Sequence, residues 1–192
     1  MDSVTEFLQT ATSILALVAG GGAVLVVVAR LLAGRSTLAA DIGGRVVAAR
    51  APLTLAVAGT ATLGSLYFSE IADYTPCRLC WFQRIAMYPI AVIALIALLR
   101  RDAQARWYTV PLAAIGASIS TYHLMIEQGE LDDNGSCSAF GPPCNVTWFE
   151  GLGFVSLALM ALCGFVAIIV LNTVSFPSVP SADSPDPRKD LS

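Results

Sequence analysis

Charge is what this sequence has least of. Only 13% of its 192 residues are Asp, Glu, Lys or Arg, while 56% are hydrophobic; a soluble domain carries about 25% charged residues. Histidine occurs once, at position 123. No basic stretch with interleaved aromatics is present, which argues against nucleic acid as a partner. The net charge of −3 decides little, because the placement of the charges matters more. What remains is apolar and comes in blocks, so the bilayer is the main solvent of this chain.

Five blocks are long enough to span. Residues 7–29 and 51–69 carry no charge, residues 81–99 carry only Arg84, residues 107–126 hold only His123, and residues 152–171 are apolar throughout. A hydrocarbon core of about 30 Å needs about 20 helical residues. Helices are forced, because lipid cannot satisfy a free backbone N–H or C=O. The first block is read as a true helix rather than a signal peptide: it opens with the acidic "MDSVTEF", exceeds the length of an h-region and lacks a small-x-small site directly after it.

Basic residues set the orientation. Arg30, Arg35, Arg45, Arg50, Arg100, Arg101, Arg106, Arg188 and Lys189 all fall on one side of a five-span chain, nine of the eleven basic residues. The other side holds Arg78 and Arg84 together with acids such as Glu70, Asp73, Glu127, Asp132 and Glu150. The N-terminus is therefore expected outside and the C-terminus in the cytoplasm. The tail "SFPSVPSADSPDPRKDLS" is rich in Pro, Ser and Asp and reads as disordered. The inside connections are short, so neighbouring helices should run antiparallel.

Cysteine is sparse but concentrated. Cys77, Cys80, Cys137 and Cys144 lie in or beside the two outside connections, and Cys163 sits mid-span as a small apolar residue. The outer face is the oxidising one. Three readings fit the four outer cysteines. Two structural disulfides would close short rings, each contributing about 2–2.5 kcal/mol in the loop model. A four-thiolate zinc site is a second reading, although six residues between Cys137 and Cys144 is not a zinc-knuckle spacing and such a site is fragile in an oxidising compartment. The third is thiol–disulfide exchange, which gives each local feature a task and is preferred.

The task is clearest in "YTPCRLCWFQR". A disulfide is opened by a thiolate. Pro76 suits the turn into a helix. With a helix starting near Arg78, Cys80 lies in its first turn, where free N–H groups and the helix dipole stabilise negative charge. Arg84 stands one turn deeper on the same face. An arginine at the edge of a span either snorkels to headgroups or serves a site; its register with Cys80 favours a site.

These residues resemble the family of disulfide bond formation protein B (DsbB), including its BdbC-type members. The likeness rests on "PCRLCWFQR", on "TYHLMIEQGE" with its His near a helix end, and on "CSAFGPPCNVTWFEGLGFVSLALMAL". It implies an all-α integral membrane protein: an antiparallel four-helix bundle over residues 51–174, preceded here by an additional transmembrane helix and cytoplasmic connection over residues 1–50 and followed by the tail, 175–192. It implies a multi-pass protein of the bacterial cytoplasmic (inner) membrane. Its activity would be that of a thiol:quinone oxidoreductase, which reoxidises a soluble DsbA-like thioredoxin-fold protein and passes two electrons to ubiquinone or menaquinone. Cys137–Cys144 would meet the partner from a short mobile loop with turns at "DDNGS" and "FGPP". Cys77 would exchange with that pair, and Cys80 would engage quinone. Arg84 and His123 would hold the quinone, with Trp81, Phe82 and Tyr88 lining its ring. No metal is expected.

The additional first helix departs from the family pattern, and so does the close spacing of Cys137 and Cys144. A vitamin K epoxide reductase-like enzyme does related chemistry, but there the quinone-side Cys-x-x-Cys comes late in the chain. A non-enzymatic membrane subunit braced by its disulfides is the alternative of another class.

Overall fold

A computed structural model of the chain describes residues 3–33, 36–132, 137 and 142–176. Six α-helices follow in order: α1 (Ser3–Leu32), α2 (Thr37–Ala48), α3 (Arg50–Glu70), α4 (Arg78–Arg100), α5 (Arg106–Glu127) and α6 (Leu157–Thr173). A 3-10 turn, Ala103–Ala105, leads into α5. By length and composition α1, α3, α4 and α5 with its leading turn can cross a membrane, and α6 is a shorter apolar helix of 17 residues. That length lies at the lower end of the spanning range of about 17–25 residues.

Four helices close a bundle. α3 packs on α4, α4 on α5, α5 on α6 and α6 back on α3, while α1 lies against α6 and touches α3. The chain therefore forms the expected all-helical bundle with one additional N-terminal helix. Its core is made of Ala58, Ala86, Met87, Ile90, Ala113, Phe165 and Ile168. Small residues allow the close approach that membrane helices need. A Cβ on Gly116 of α5 would run into the ring of Phe165 of α6, which is fully buried. A Cβ on Gly20 of α1 would come within 2.9 Å of Cys163 Sγ. Near the C-terminal end of α6, Asn172 Nδ2 donates to Thr54 Oγ1 at 2.9 Å and ties α6 to α3.

Two elements differ from the sequence reading. The connection between α1 and α3 contains α2, whose N-cap Ser36 accepts from Ala39 N and whose exposed face pairs Arg45 with Asp41 one turn apart. Its charges and adjacent glycines, Gly43 and Gly44, hide it from a search for long apolar blocks. The last helix starts at Leu157 rather than at residue 152. Leu152 and Gly153 both take positive φ, a reversal closed by the Gly151–Val155 bridge, and Ser156 Oγ then caps the helix through Leu159 N. Of the turns expected at "DDNGS" (132–136) and "FGPP" (140–143), residues 133–136, 140 and 141 lie outside the described residues, as does the tail from 177.

The Gly116–Phe165 contact makes a stability test. Gly116→Val should lower stability by about 1–3 kcal/mol through overpacking. Gly59→Val, at a site with nothing within 4 Å of a new Cβ, should cost far less. Denaturant unfolding of the two variants in detergent micelles measures the difference.

Candidate functional site

The site begins where the chain turns into α4. Pro76 leads in, and Cys77 takes the N-cap position with extended backbone while its Sγ accepts from Cys80 N at 3.2 Å. Arg78 opens the helix, so both cysteines sit at its N-terminal end, where unpaired N–H groups favour a thiolate. The two are joined as a disulfide with Cα atoms 5.1 Å apart. Cys77 is buried and Cys80 half-buried.

A second disulfide, Cys137–Cys144, lies against the first. Both of its cysteines are buried, in one cluster with Cys77 and Ile126 that Leu79 and Cys80 flank. Cys144 Sγ, Cys77 Sγ and a ring nitrogen of His123 all lie within 4.8 Å of one another. The sequence reading has this loop offering its cysteines outward; the structure instead buries the pair on the end of α4. The physical reason is that disulfide sulfur is apolar and finds its partners in Ile126 and Leu79 rather than in water.

His123 is held in the angle between the two pairs. Its Nε2 lies 3.2 Å from the Cys144 carbonyl oxygen, 3.7 Å from Cys77 Sγ and 3.7 Å from Glu127 Oε1. A carbonyl only accepts, so the hydrogen-bond network assigns the proton to Nε2. Nδ1 then faces Gln83 Nε2 as an acceptor at 3.4 Å, and the same amide donates to Ser120 Oγ at 3.1 Å. Glu127 is secured in turn by Ser156 Oγ, which donates to Oε2 at 2.6 Å. The side chains of His123 and Glu127 are only 3% and 6% exposed. An uncompensated polar group at this depth would cost roughly 2–7 kcal/mol, so each group in this network needs the next.

On the far side of α4 lies an apolar cavity of about 650 Å³. Cys80, Gln83, Arg84, Met87 and Tyr88 face it, the i, i+3, i+4, i+7 and i+8 positions of one helical stripe. Arg84 Nη2 donates to Ser65 O at 3.0 Å, and Tyr88 OH donates to Ser65 Oγ at 3.3 Å. Phe68, Tyr74 and Trp148 also line the cavity. Tyr74 stacks on Trp148 with centroids 5.2 Å apart and on Phe68 with centroids 5.9 Å apart. The size falls within the roughly 300–1,000 Å³ of small-molecule sites. One cation and one cysteine in a largely apolar wall fit a lipophilic ring with carbonyl oxygens.

The predicted residues thus divide into two groups. Cys80 and Arg84 share the cavity wall; Cys77, Cys137, Cys144 and His123 form a buried cluster. His123 is not on the cavity wall, because Gln83 occupies the space between. Trp81 and Phe82 are also off that wall. They are 52% and 41% exposed, lie one residue out of phase with the stripe, and carry the guanidinium groups of Arg84 and Arg78 over their rings at 5.2 and 5.9 Å. Glu127 and Ser156 were missed by the sequence reading; the i, i+4 spacing of His123 and Glu127 was the available signal. Cys77, His123 and Cys144 also form a three-donor set of the size a metal would need. With both cysteines engaged in disulfides, neither presents the thiolate that zinc requires.

A helical membrane bundle with two disulfides side by side at one end defines a membrane disulfide-bond formation protein. The model of the family described as disulfide bond formation protein DsbB matches residues 45–174, and the chain belongs to this family. It is 41% identical to probable disulfide formation protein C 1 of Bacillus anthracis over 114 residues, 59% of this chain and 82% of that protein. It is 40% identical to disulfide bond formation protein C of Bacillus subtilis (strain 168) over 114 residues, 59% of this chain and 83% of that protein. To the probable disulfide formation protein of Oceanobacillus iheyensis it is 38% identical over 114 residues, 58% of this chain and 78% of that protein. No solved structure matches the chain. The family match begins within α2, so α1 lies outside it.

The packing of the two pairs predicts a crosslink. In the double variant Cys80→Ser, Cys137→Ser, Cys77 and Cys144 should oxidise to an intramolecular disulfide under air, read as protection of both from a maleimide label. Full labelling of both thiols in the folded variant would contradict the packing.

Proposed function

We propose that the chain is a thiol:quinone oxidoreductase that reoxidises a soluble thioredoxin-fold dithiol protein of the DsbA type and passes the electron pair to membrane quinone. One observation carries the reading: the two disulfides stand in series, with Cys144 against Cys77 and Cys80 at the wall of an apolar cavity beside Arg84. A structural brace would have no use for that order.

The steps balance as disulfide exchange. A partner thiolate attacks Cys137–Cys144, and the partner's second thiol releases it as a disulfide, leaving Cys137 and Cys144 as thiols. The Cys144 thiolate attacks Cys77 Sγ and displaces the Cys80 thiolate. Cys137 then attacks Cys144 Sγ and releases Cys77. Two electrons have moved from the outer pair to the inner one, and the outer disulfide is restored. The two protons that Cys137 and Cys144 lose pass to the inner pair, and His123 Nε2–H, 3.7 Å from Cys77 Sγ, hydrogen-bonds the Cys77 sulfur as it leaves. Cys80 is the sulfur that faces the acceptor, and Arg84 would hold one of its carbonyl oxygens. Quinone, when bound, supplies a lipid-soluble two-electron, two-proton acceptor, ubiquinone or menaquinone. Because Cys137 and Cys144 are both buried, the arrangement corresponds to internal exchange, and the partner reaches the pair only when the 127–150 connection lifts from α4. This proposal puts the cysteines and the N-terminus on the oxidising outer side of the bacterial cytoplasmic membrane and the C-terminus inside.

Quinone reduction driven by a reduced DsbA-type partner tests it. Cys80→Ser should abolish turnover. Arg84→Ala should raise the KM for quinone about tenfold, the loss of one charge-assisted hydrogen bond of about 1.4 kcal/mol, with both disulfides still formed. Turnover that survives Cys80→Ser would refute the relay, and unchanged quinone kinetics would remove Arg84 from the site.

A further inference from the structure

The helix that the family match leaves out is built into the cavity. α1 contributes Thr12, Ala19, Gly22 and Val26 to its wall, and the lining continues to Ala29. From Thr12 to Ala29 is about 26 Å of helix at 1.5 Å per residue, close to the roughly 30 Å hydrocarbon thickness. At the far end, Val46 of α2 and Leu171 of α6 complete the lining. The cavity thus begins at Cys80 and Arg84 and runs most of the way across the membrane, far longer than a quinone ring.

α1 is fastened rather than loosely apposed. Its outer third buries three polar residues, Thr5, Gln9 and Ser13. Gln9 Nε2 donates to Tyr74 OH at 2.8 Å, and Thr5 Oγ1 lies 3.3 Å from Tyr67 OH. Ser13 sits so close to Gly151 that no side chain fits there. These contacts tie α1 to α3 and to the connections before α4 and α6, the segments that frame the redox pair. Lower down, Gly20 packs on Cys163. Two residues further, a Cβ on Gly22 would meet nothing within 4 Å, so the cavity is open at that point.

We propose that α1 forms the binding wall for the isoprenoid tail of the quinone, with Gly22 leaving room for the chain as it passes. The inference rests on the quinone reading above. A largely apolar passage that starts at the acceptor end and follows the membrane normal matches that tail in chemistry and in direction. A phospholipid acyl chain is the competing occupant.

The test uses the full-length chain in detergent and native mass spectrometry, titrating one quinone headgroup carrying a long isoprenoid tail and the same headgroup carrying a methyl group instead. Gly22→Leu should raise the ratio of the long-tail to the tail-less dissociation constant about tenfold. Ala19→Leu, a second filling variant, should act in the same direction. Gly21→Leu, also without neighbours within 4 Å but off the cavity wall, should behave as the unaltered chain. Maleimide protection of the four outer cysteines reports that each variant is folded. An unaltered ratio in folded Gly22→Leu and Ala19→Leu would overturn the role of α1 while leaving the quinone reading intact. Retention of a phospholipid that both variants expel, with quinone binding unaffected, would likewise overturn it. An unaltered chain that binds neither quinone would overturn both readings.

Discussion

The site depends on the docking of the second disulfide on the first turn of α4. Cys144, Cys77 and His123 converge within a few ångströms, and each is held there by something else. Cys77 is fixed by its place at the helix N-cap. His123 is fixed by Gln83, by the Cys144 carbonyl and by Glu127, which Ser156 secures in turn. If any one shifted, a buried polar group would lose its partner, and inside a membrane protein water is not there to replace it. The cluster is therefore locked as a unit, and that brings the two disulfides side by side.

α4 separates two environments. One side of its outer end meets the histidine, the glutamate and the second disulfide; the other meets the apolar cavity. The Cys77–Cys80 disulfide crosses from one to the other, because Cys77 is the extended N-cap residue, outside the helical register that carries Cys80. Gln83 touches both sides, lining the cavity while its amide reaches His123 and Ser120. α1 completes the cavity from outside the four-helix bundle, so the additional helix is part of the wall that Cys80 and Arg84 share.

Much of this was legible in the residues. The apolar blocks marked out the helices, because a bilayer leaves the backbone no other solution. Pro76 and the Cys-x-x-Cys marked the start of α4, and the structure begins that helix at Arg78. The register of Arg84 under Cys80 followed from helical geometry alone. What was not legible depended on the rotation of one helix against another. The resemblance implied Trp81 and Phe82 at the quinone ring, yet one residue of phase turns them away from the cavity. His123 was expected beside Arg84, but the packing of α5 on α4 puts it behind Gln83. α2 escaped notice because its charges and glycines break the apolar pattern, and the start of α6 moved because Leu152 and Gly153 reverse the chain.

By itself, then, the sequence determined that the chain is a helical membrane protein, where its cysteines fall relative to the helices, and which helix starts at the Cys-x-x-Cys pair. These are properties of hydropathy and short-range spacing, which act within one segment. Tertiary structure decided which sulfur meets which, which side of α4 carries the histidine, and that the first helix lines the cavity. Those are contacts between residues as far apart as Gln9 and Tyr74, or Cys77 and Cys144, and only the packing of several helices at once can set them.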